Sequence, residues 1–502
     1  MTASGMRWKR TGCCLKGWGN EMDKMSVYGC LPVWGQNLAC TLQGAVIRKD
    51  RYSPYFDKLV RQFRQTGKYS FGQIREYQDR KLKKLLIHCY ETVPFYRKEF
   101  DECGFNPYRF RHADEMAVLP VITKDVLKNR LHDFISKAGL PSKTYIHLTG
   151  GTTGKSIPYY KTLHEQSKQW AVWWRYRNNL GIRIGDWCGE FGSKPVVPHR
   201  QKKPPYWRTD YTEHRRLFSP YHLNADTIQT YARGLSGIKW VHGYTSKLAD
   251  MAYWLVQNKM TVPMDFVTIG AENVYDVQKK IIEQAFGCCV YQHYGMTEGA
   301  VNISQMQDFK LRIDEDFCYT EFIRHGSRYH MTGTNLHYYR MPLIRYDTGD
   351  YGELSETQDG GFRIVKSLSG RESEAVTTNT GIKVTAAEFD EEIFAKISHM
   401  AQAQVVQKSR DELEIRVVKL DGYSSADEHE LLRYLKRIAG ENMVYRITYH
   451  GSLEKAENGK FKLIVNRPGG GIAGYNARNT TACIRWITCP DAASFWPMGA
   501  AS

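Results

Sequence analysis

The 502-residue sequence predicts an α/β protein with a large N-terminal domain and a small α+β C-terminal domain. Three observations carry that expectation. Short β-like runs alternate with helical segments through the middle of the chain, the pattern of parallel strands joined by helical crossovers. Near Gly370-Arg371 a second series of elements begins and runs for about a hundred residues, a length that folds independently. The apolar fraction is 42 % and the aromatic fraction 13 %, which suits packed cores and argues against a disordered chain. The expected divisions are 1–24 as an extension, 25–370 as the large domain, 371–467 as the small one and 468–502 as a tail.

From Phe71 to Phe100, the residues Ile74, Leu82, Leu85, Leu86 and Tyr90 fall at helical spacing. Leu119-Pro120-Val121 leads to Thr123, an N-cap for a helix containing Val126 and Leu127. Tyr145 to Leu148 reads as a strand, and Gln166 to Asn178 as a helix rich in Trp and Arg. Between Lys194 and Arg216 four prolines stand among seven Lys or Arg residues; this reads as an irregular loop, either a solvated insertion or a cover over an anionic ligand. Strands are expected at Lys239 to His242, Phe266 to Ile269 and Cys288 to Gln292, with a helix from Asn273 to Ala285. Gly352 to Leu354 and Gly361 to Val365 read as β segments. In the small domain, helices at Ala387 to Ile397 and Asp427 to Ile438 alternate with strands at Leu413 to Val418 and Arg446 to Tyr449. The stretch from Pro468 has no clear period and reads as lying outside the fold.

The formal charge is +17, which could attract a polyanion, but no nucleic-acid motif accompanies it and none is expected as a partner. No run of 18 apolar residues could span a membrane. The twelve cysteines form no C-x-x-C pair and no zinc spacing; they read as buried thiols in a reducing cytoplasm, with Cys288 and Cys289 on a strand.

Five motifs carry chemistry. Thr149-Gly150-Gly151-Thr152-Thr153-Gly154-Lys155 follows a strand; its glycines let backbone N–H groups converge on phosphate oxygens, and its lysine adds charge. Its spacing is not that of a Walker A loop. Tyr294-Gly295-Met296-Thr297-Glu298 sets a carboxylate beside a hydroxyl at a strand end, where it can hold magnesium bridging phosphates. Arg345 to Asp350 presents an aspartate after a glycine turn, an apt acceptor for two ribose hydroxyls. Gly370-Arg371 and Asn458-Gly459-Lys460-Phe461-Lys462 complete an ordered series.

That series resembles the adenylate-forming superfamily of acyl-CoA synthetases, in particular its phenylacetate–CoA ligase-like branch, which includes members associated with capsular polysaccharide biosynthesis. Local cues are Leu119 to Lys124, His242 to Ser246, Gly270-Ala271-Glu272 and Pro342 to Tyr346. Gly150 stands where the family commonly has serine, and Ser156 where it has proline. The resemblance implies an ATP- and Mg2+-dependent ligase that activates a carboxylic acid as an acyl adenylate and passes it to a thiol, usually CoA. An amine or hydroxyl acceptor and an inactive nucleotide-binding scaffold are the competing readings. It further implies roles by position. Residues 149–155 would embrace the β- and γ-phosphates. Ala271 and Glu272 would lie along the adenine, with Tyr294 packed on the base. Thr297 would contact the α-phosphate and Glu298 the metal. Asp350 would hold the ribose, with Arg371 nearby. His242, Gly243 and Tyr244 would border the acyl pocket, and Lys460 would reach in from a mobile small domain. His242 reads as a satisfied core histidine in preference to a catalytic base, since a carboxylate is already ionised near neutral pH and needs no base.

The family pattern selects the lysine directly after the glycine, Lys460, to bridge the attacking carboxylate and the α-phosphate. Lys460→Ala is expected to lower adenylate formation about 100-fold or more, the cost of one preorganised electrostatic donor. Turnover of a supplied acyl adenylate should be largely preserved. Adenylation that survives Lys460→Ala but is abolished by Lys462→Ala would show the motif's register to be wrong.

Overall fold

The computed structural model describes residues 27–139, 143–148, 157–192, 196–325, 328–369, 375–379, 381, 383–455 and 461–466. Residues 149–155, Arg371, Lys460 and the two terminal segments expected to lie outside the fold are beyond these described residues.

A twelve-stranded mixed sheet forms the centre of the fold. Five neighbouring strands run parallel: Arg215–Phe218, Cys188–Phe191, Trp240–Gly243, Phe266–Gly270 and Val290–Gly295. Helices Thr245–Gln257 and Asp276–Phe286 make the crossovers that parallel pairing requires. From Asn302–Gln305 onward the sheet continues antiparallel, ending in the long strands Tyr346–Asp359 and Phe362–Ser369 and the pair Cys318–His325 and Arg328–Asn335. The α/β expectation therefore holds, while parallel pairing is confined to five strands beside the Trp207–Asp210 edge of the sheet.

Helix Leu163–Leu180 is buried along most of its length. It starts in a capping box, in which Thr162 accepts from the Glu165 amide and Glu165 accepts from the Thr162 amide. The Glu165 carboxylate also accepts from the amides of Tyr339 at 2.5 Å and Arg340 at 2.9 Å, so the cap fastens the helix to a distant loop. Arg175, 2 % exposed, reaches from this helix to Asp314 at 2.6 Å and Asp316 at 2.5 Å. It also donates to the Phe63 carbonyl at 2.8 Å, and the Thr66 hydroxyl donates to Asp316. One guanidinium thereby ties helix Phe56–Thr66, helix Leu163–Leu180 and the turn after strand Leu311–Ile313 together.

A second, four-stranded sheet contains Val444–Tyr449, Glu412–Lys419, Met400–Gln407 and Ile464–Asn466, in that order, with helix Ser425–Ala439. It shares a continuous core with helices Thr245–Gln257 and Asp276–Phe286. Polar contacts join the same elements: Lys455 pairs with Asp250, Gln402 donates to Asp250 at 3.1 Å, and the Asp276 amide donates to Asp390 at 2.6 Å.

Several local expectations are corrected. Residues 207–218 are not irregular: Trp207–Asp210 and Arg215–Phe218 form an antiparallel pair at the sheet edge. The helical run from Phe71 breaks at Val93 because Pro94 disfavours a helical residue before it, giving Phe71–Thr92 and Pro94–Glu102. Cys288 and Cys289 precede the strand that begins at Val290, and Cys289 is exposed, as are Cys30 and Cys103. Helix Ala386–Glu392 stops early and a 3-10 turn, Phe394–Lys396, follows. Among the described residues no helix is long and apolar enough to cross a membrane.

Arg175→Met should destabilise the fold by about 3–5 kcal/mol, because it leaves two buried carboxylates without their cation. Urea unfolding measures this directly; an unchanged midpoint would show that the triad does not hold the helix.

Candidate active site

The parallel strands end side by side at Phe191, Gly243, Gly270 and Gly295, the edge at which α/β sheets gather ligands. A Cβ on Gly243 would lie 2.7 Å from the Phe191 carbonyl oxygen, so only glycine lets these strands close here. Ala271, with φ +67°, then turns the chain away from the sheet. A cavity opens below this edge. Its walls include the expected His242, Gly243, Tyr244 and Ala271, together with Glu190, His293 and the side chains of Trp173, Tyr176 and Arg177 from helix Leu163–Leu180. Trp173, Tyr176 and Arg177 share a helix face because they are three and four residues apart.

His242 Nδ1 lies 2.9 Å from the Thr268 hydroxyl and 3.2 Å from its carbonyl oxygen. Burial, and next the Arg177 charge, push the His242 pKa down to about 3, so the imidazole is neutral at physiological pH. The same two causes bring His293 to about 3. Neither ring can act as a cation near neutrality, which fits a wall residue rather than a base.

Beside the cavity, Tyr294 donates its hydroxyl to Asp350 at 2.7 Å. The turn before Asp350 is built to aim it. Gly349 takes φ +74°, its amide donates to Asp347 at 2.9 Å, and the Asp350 amide donates to Thr348 at 3.1 Å. Arg345, one turn earlier, is fixed by Glu321 and by the carbonyls of Ala117 and Leu119. Thr297 and Glu298 are buried in the turn after Gly295. Nearby, the buried Lys161 donates to Gln169 at 2.8 Å under the rings of Tyr159 and Tyr338. Burial lowers its pKa to about 7, and the charges of Glu298 and Glu165 oppose that fall.

Glu272 is placed differently from Ala271. Its carboxylate accepts from the Ser246 amide at 2.8 Å, the Ser246 hydroxyl at 3.1 Å and the Phe461 amide at 2.7 Å. It thus joins the start of helix Thr245–Gln257 to the segment directly after Lys460. Burial raises its pKa, and these hydrogen bonds oppose the rise.

The structure therefore brings His242, Gly243, Tyr244 and Ala271 to one cavity and joins Tyr294 to Asp350. Residues 149–155, Arg371 and Lys460 lie outside the described residues. Among the described residues no group of three His, Cys, Asp or Glu side chains is arranged to hold a metal ion alone. Glu298 suits magnesium nonetheless, since that ion is commonly held by one or two carboxylates plus substrate phosphates. Sequence reading missed Arg177 and Lys161. The Trp-Arg texture of the helix was a visible signal for the first, and a lone lysine in the strand-like Pro158–Thr162 for the second.

The CapK C-terminal domain family matches residues 376–467. Protein CapK of Staphylococcus aureus is 23 % identical over 453 residues, covering 88 % of this chain and 98 % of that protein. The phenylacetate–coenzyme A ligase of Escherichia coli (strain K12) is 23 % identical over 439 residues, covering 77 % of this chain and 94 % of that one. Among solved structures, 2-hydroxyisobutyryl-CoA ligase in its postadenylation state, in complex with R3-HIB-AMP, matches with a TM-score of 0.60 at 17 % identity, covering 78 % of this chain and 89 % of that one. This chain is a homologue of CapK and of the phenylacetate–coenzyme A ligases, and it has the fold of the adenylate-forming ligases.

Proposed function

We propose that the protein is an AMP-forming ligase that activates a carboxylic acid with ATP and passes the acyl group to a thiol, CoA being the acceptor. The observation that carries this reading is the Tyr294–Asp350 pair set beside the cavity of His242, Gly243, Tyr244 and Ala271, at the carboxyl edge of the parallel strands.

In the first half-reaction a carboxylate oxygen attacks the α-phosphorus of ATP, an acyl–phosphate bond forms, and pyrophosphate leaves with the electrons of the broken P–O bond. Asp350 exchanges the Tyr294 hydroxyl for the two ribose hydroxyls, and the Tyr294 ring lies against the base. Thr297 donates to the α-phosphate. Residues 149–155 supply backbone donors and the Lys155 charge to the leaving phosphates, and Arg371 and Lys460 complete the positive surroundings. Magnesium held at Glu298 would neutralise phosphate charge when bound. In the second half-reaction a thiolate attacks the acyl carbon and AMP leaves. Residues 371–467 would act as the lid that exchanges one face for another between the two steps. A second reading keeps the adenylation and replaces the thiol with an amine or hydroxyl.

Acid-dependent exchange of labelled pyrophosphate into ATP tests the adenylation, and AMP release that depends on CoA separates the two acceptors. No exchange with any member of a broad acid library would reduce the protein to a nucleotide-binding scaffold. Asp350→Ala should weaken ATP binding by about 1.5–3 kcal/mol for each charge-assisted hydrogen bond lost. Calorimetry that finds the same ATP affinity in the variant would remove the ribose assignment.

A further inference from the structure

The cavity is lined by a buried cation that has no acceptor among the described residues. Arg177 is 5 % exposed, and its Nη1 is buried with no hydrogen-bond partner among them. The guanidinium is surrounded by indoles instead: its carbon lies 5.0 Å from the Trp174 ring centre, 5.4 Å from Trp240 and 5.9 Å from Trp170. Ring faces attract a cation but accept none of its N–H groups in the manner of an oxygen. Other buried arginines of this region are treated otherwise. Arg175 has Asp314 and Asp316, and Arg215 has Glu190 and Asp210, both at 2.8 Å. Glu190 is the carboxylate that shares the cavity with Arg177, and it is already held by Arg215. An uncompensated buried charge is costly, and a buried donor without a partner is a place where a ligand group regains the lost hydrogen bond.

The direction of the cavity says which part of a ligand would meet it. Tyr244 and Ala271 lie at the carboxyl edge of the strands, beside the proposed nucleotide residues. Trp173 borders the same edge, with its indole nitrogen 3.4 Å from where a Cβ on Gly295 would stand. Arg177 is one helical turn further on and lines the same cavity, while Trp174 and Trp240 border it from a second cavity behind. Four residues of helix separate Trp173 from Arg177, about 6 Å along the axis, so the acid is short. A carboxylate reacting at the mouth would point its far end at the guanidinium.

We propose that Arg177 is a specificity-determining residue, and that the acid this protein activates is a short one carrying a second anionic group, of which a dicarboxylic acid is the simplest. The proposal rests on the adenylation reading above and names its substrate class. The neutral His242 and His293 on the same walls fit a site whose free charge is the single guanidinium.

The test is pyrophosphate release by the full chain with ATP and magnesium, using acids of equal chain length that end in a methyl, an ammonium or a carboxylate. The dicarboxylate is expected to exceed the methyl-ended acid by at least 100-fold in kcat/KM. In Arg177→Leu that preference should be lost through a raised KM for the dicarboxylate, with the methyl-ended acid used as well or better. ATP affinity by calorimetry, unchanged in the variant, shows that the protein is folded; if Arg177→Leu does not fold, the wild-type panel decides alone. Preference for the methyl-ended acid, or for the ammonium-ended acid that Glu190 would favour, overturns the proposal while leaving adenylation intact. So does a dicarboxylate preference that survives Arg177→Leu. Release with no acid at all overturns both readings.

Discussion

Arg175 and its two aspartates constrain most of what surrounds the cavity. The guanidinium joins three elements distant in sequence, and Asp314 extends the network further: it accepts from Asn302 at 2.5 Å, and Asn302 in turn accepts from the Trp173 indole at 3.0 Å. The helix that presents Trp173, Tyr176 and Arg177 to the cavity is thereby fixed both in depth and in rotation. A buried ion triad gains little net stability over a well-packed apolar substitute, because desolvation cancels much of the attraction. Its value is geometric. Hydrogen bonds to both carboxylates and to the Phe63 carbonyl admit one placement of the helix, whereas apolar packing would tolerate several.

Charge is distributed around the site according to that same economy of water. Arg175 and Arg215 are neutralised by two acids each. Lys161 is desolvated to the point where its proton is held loosely near pH 7, with Gln169 fixing its Nζ and the Glu298 charge opposing the loss. Arg177 lies against indole rings, and its Nη1 has no acceptor among the described residues. Two buried arginines two residues apart on one helix are thus treated differently: one closes a structural network, the other keeps an Nη1 with no acceptor among the described residues.

The strand–helix alternation was legible in the sequence because its short apolar runs and its breakers are local. Helix Leu163–Leu180 exceeds the expected Gln166 to Asn178 by a few residues because the Thr162–Glu165 cap lies outside the Trp-rich stretch. Strand Met400–Gln407 was missed for a different reason. Its Gln402, Gln404 and Gln407 break the apolar pattern, yet all are buried, and Gln404 and Gln407 each donate to backbone carbonyls of neighbouring segments. Pairing with Cys188–Phe191 and Trp207–Asp210 likewise turns the basic Arg215–Phe218 run, which reads as loop, into a strand. Of the site, Tyr294, Asp350 and the His242–Tyr244 segment could be picked out because they sit in short recognisable motifs. For Arg177 the Trp-Arg texture of its helix was the only local signal; what singles it out is an Nη1 with no partner among the described residues, a property of the folded surroundings.

Glu272 links this cavity to the smaller sheet. It follows Ala271, which lines the cavity, and its carboxylate takes the Phe461 amide and the first turn of helix Thr245–Gln257 together. Charged, it is stabilised by three donors and by the neighbouring Lys455, which itself pairs with Asp250 on that same helix. Protonated, it would lose most of the strength of those bonds while remaining buried. The cavity rim and the segment that follows Lys460 are therefore held by one carboxylate. Displacing residue 461 removes a donor from a carboxylate one residue away from the cavity wall. The placement of residue 461 and that of Ala271 on the cavity wall are therefore linked through Glu272.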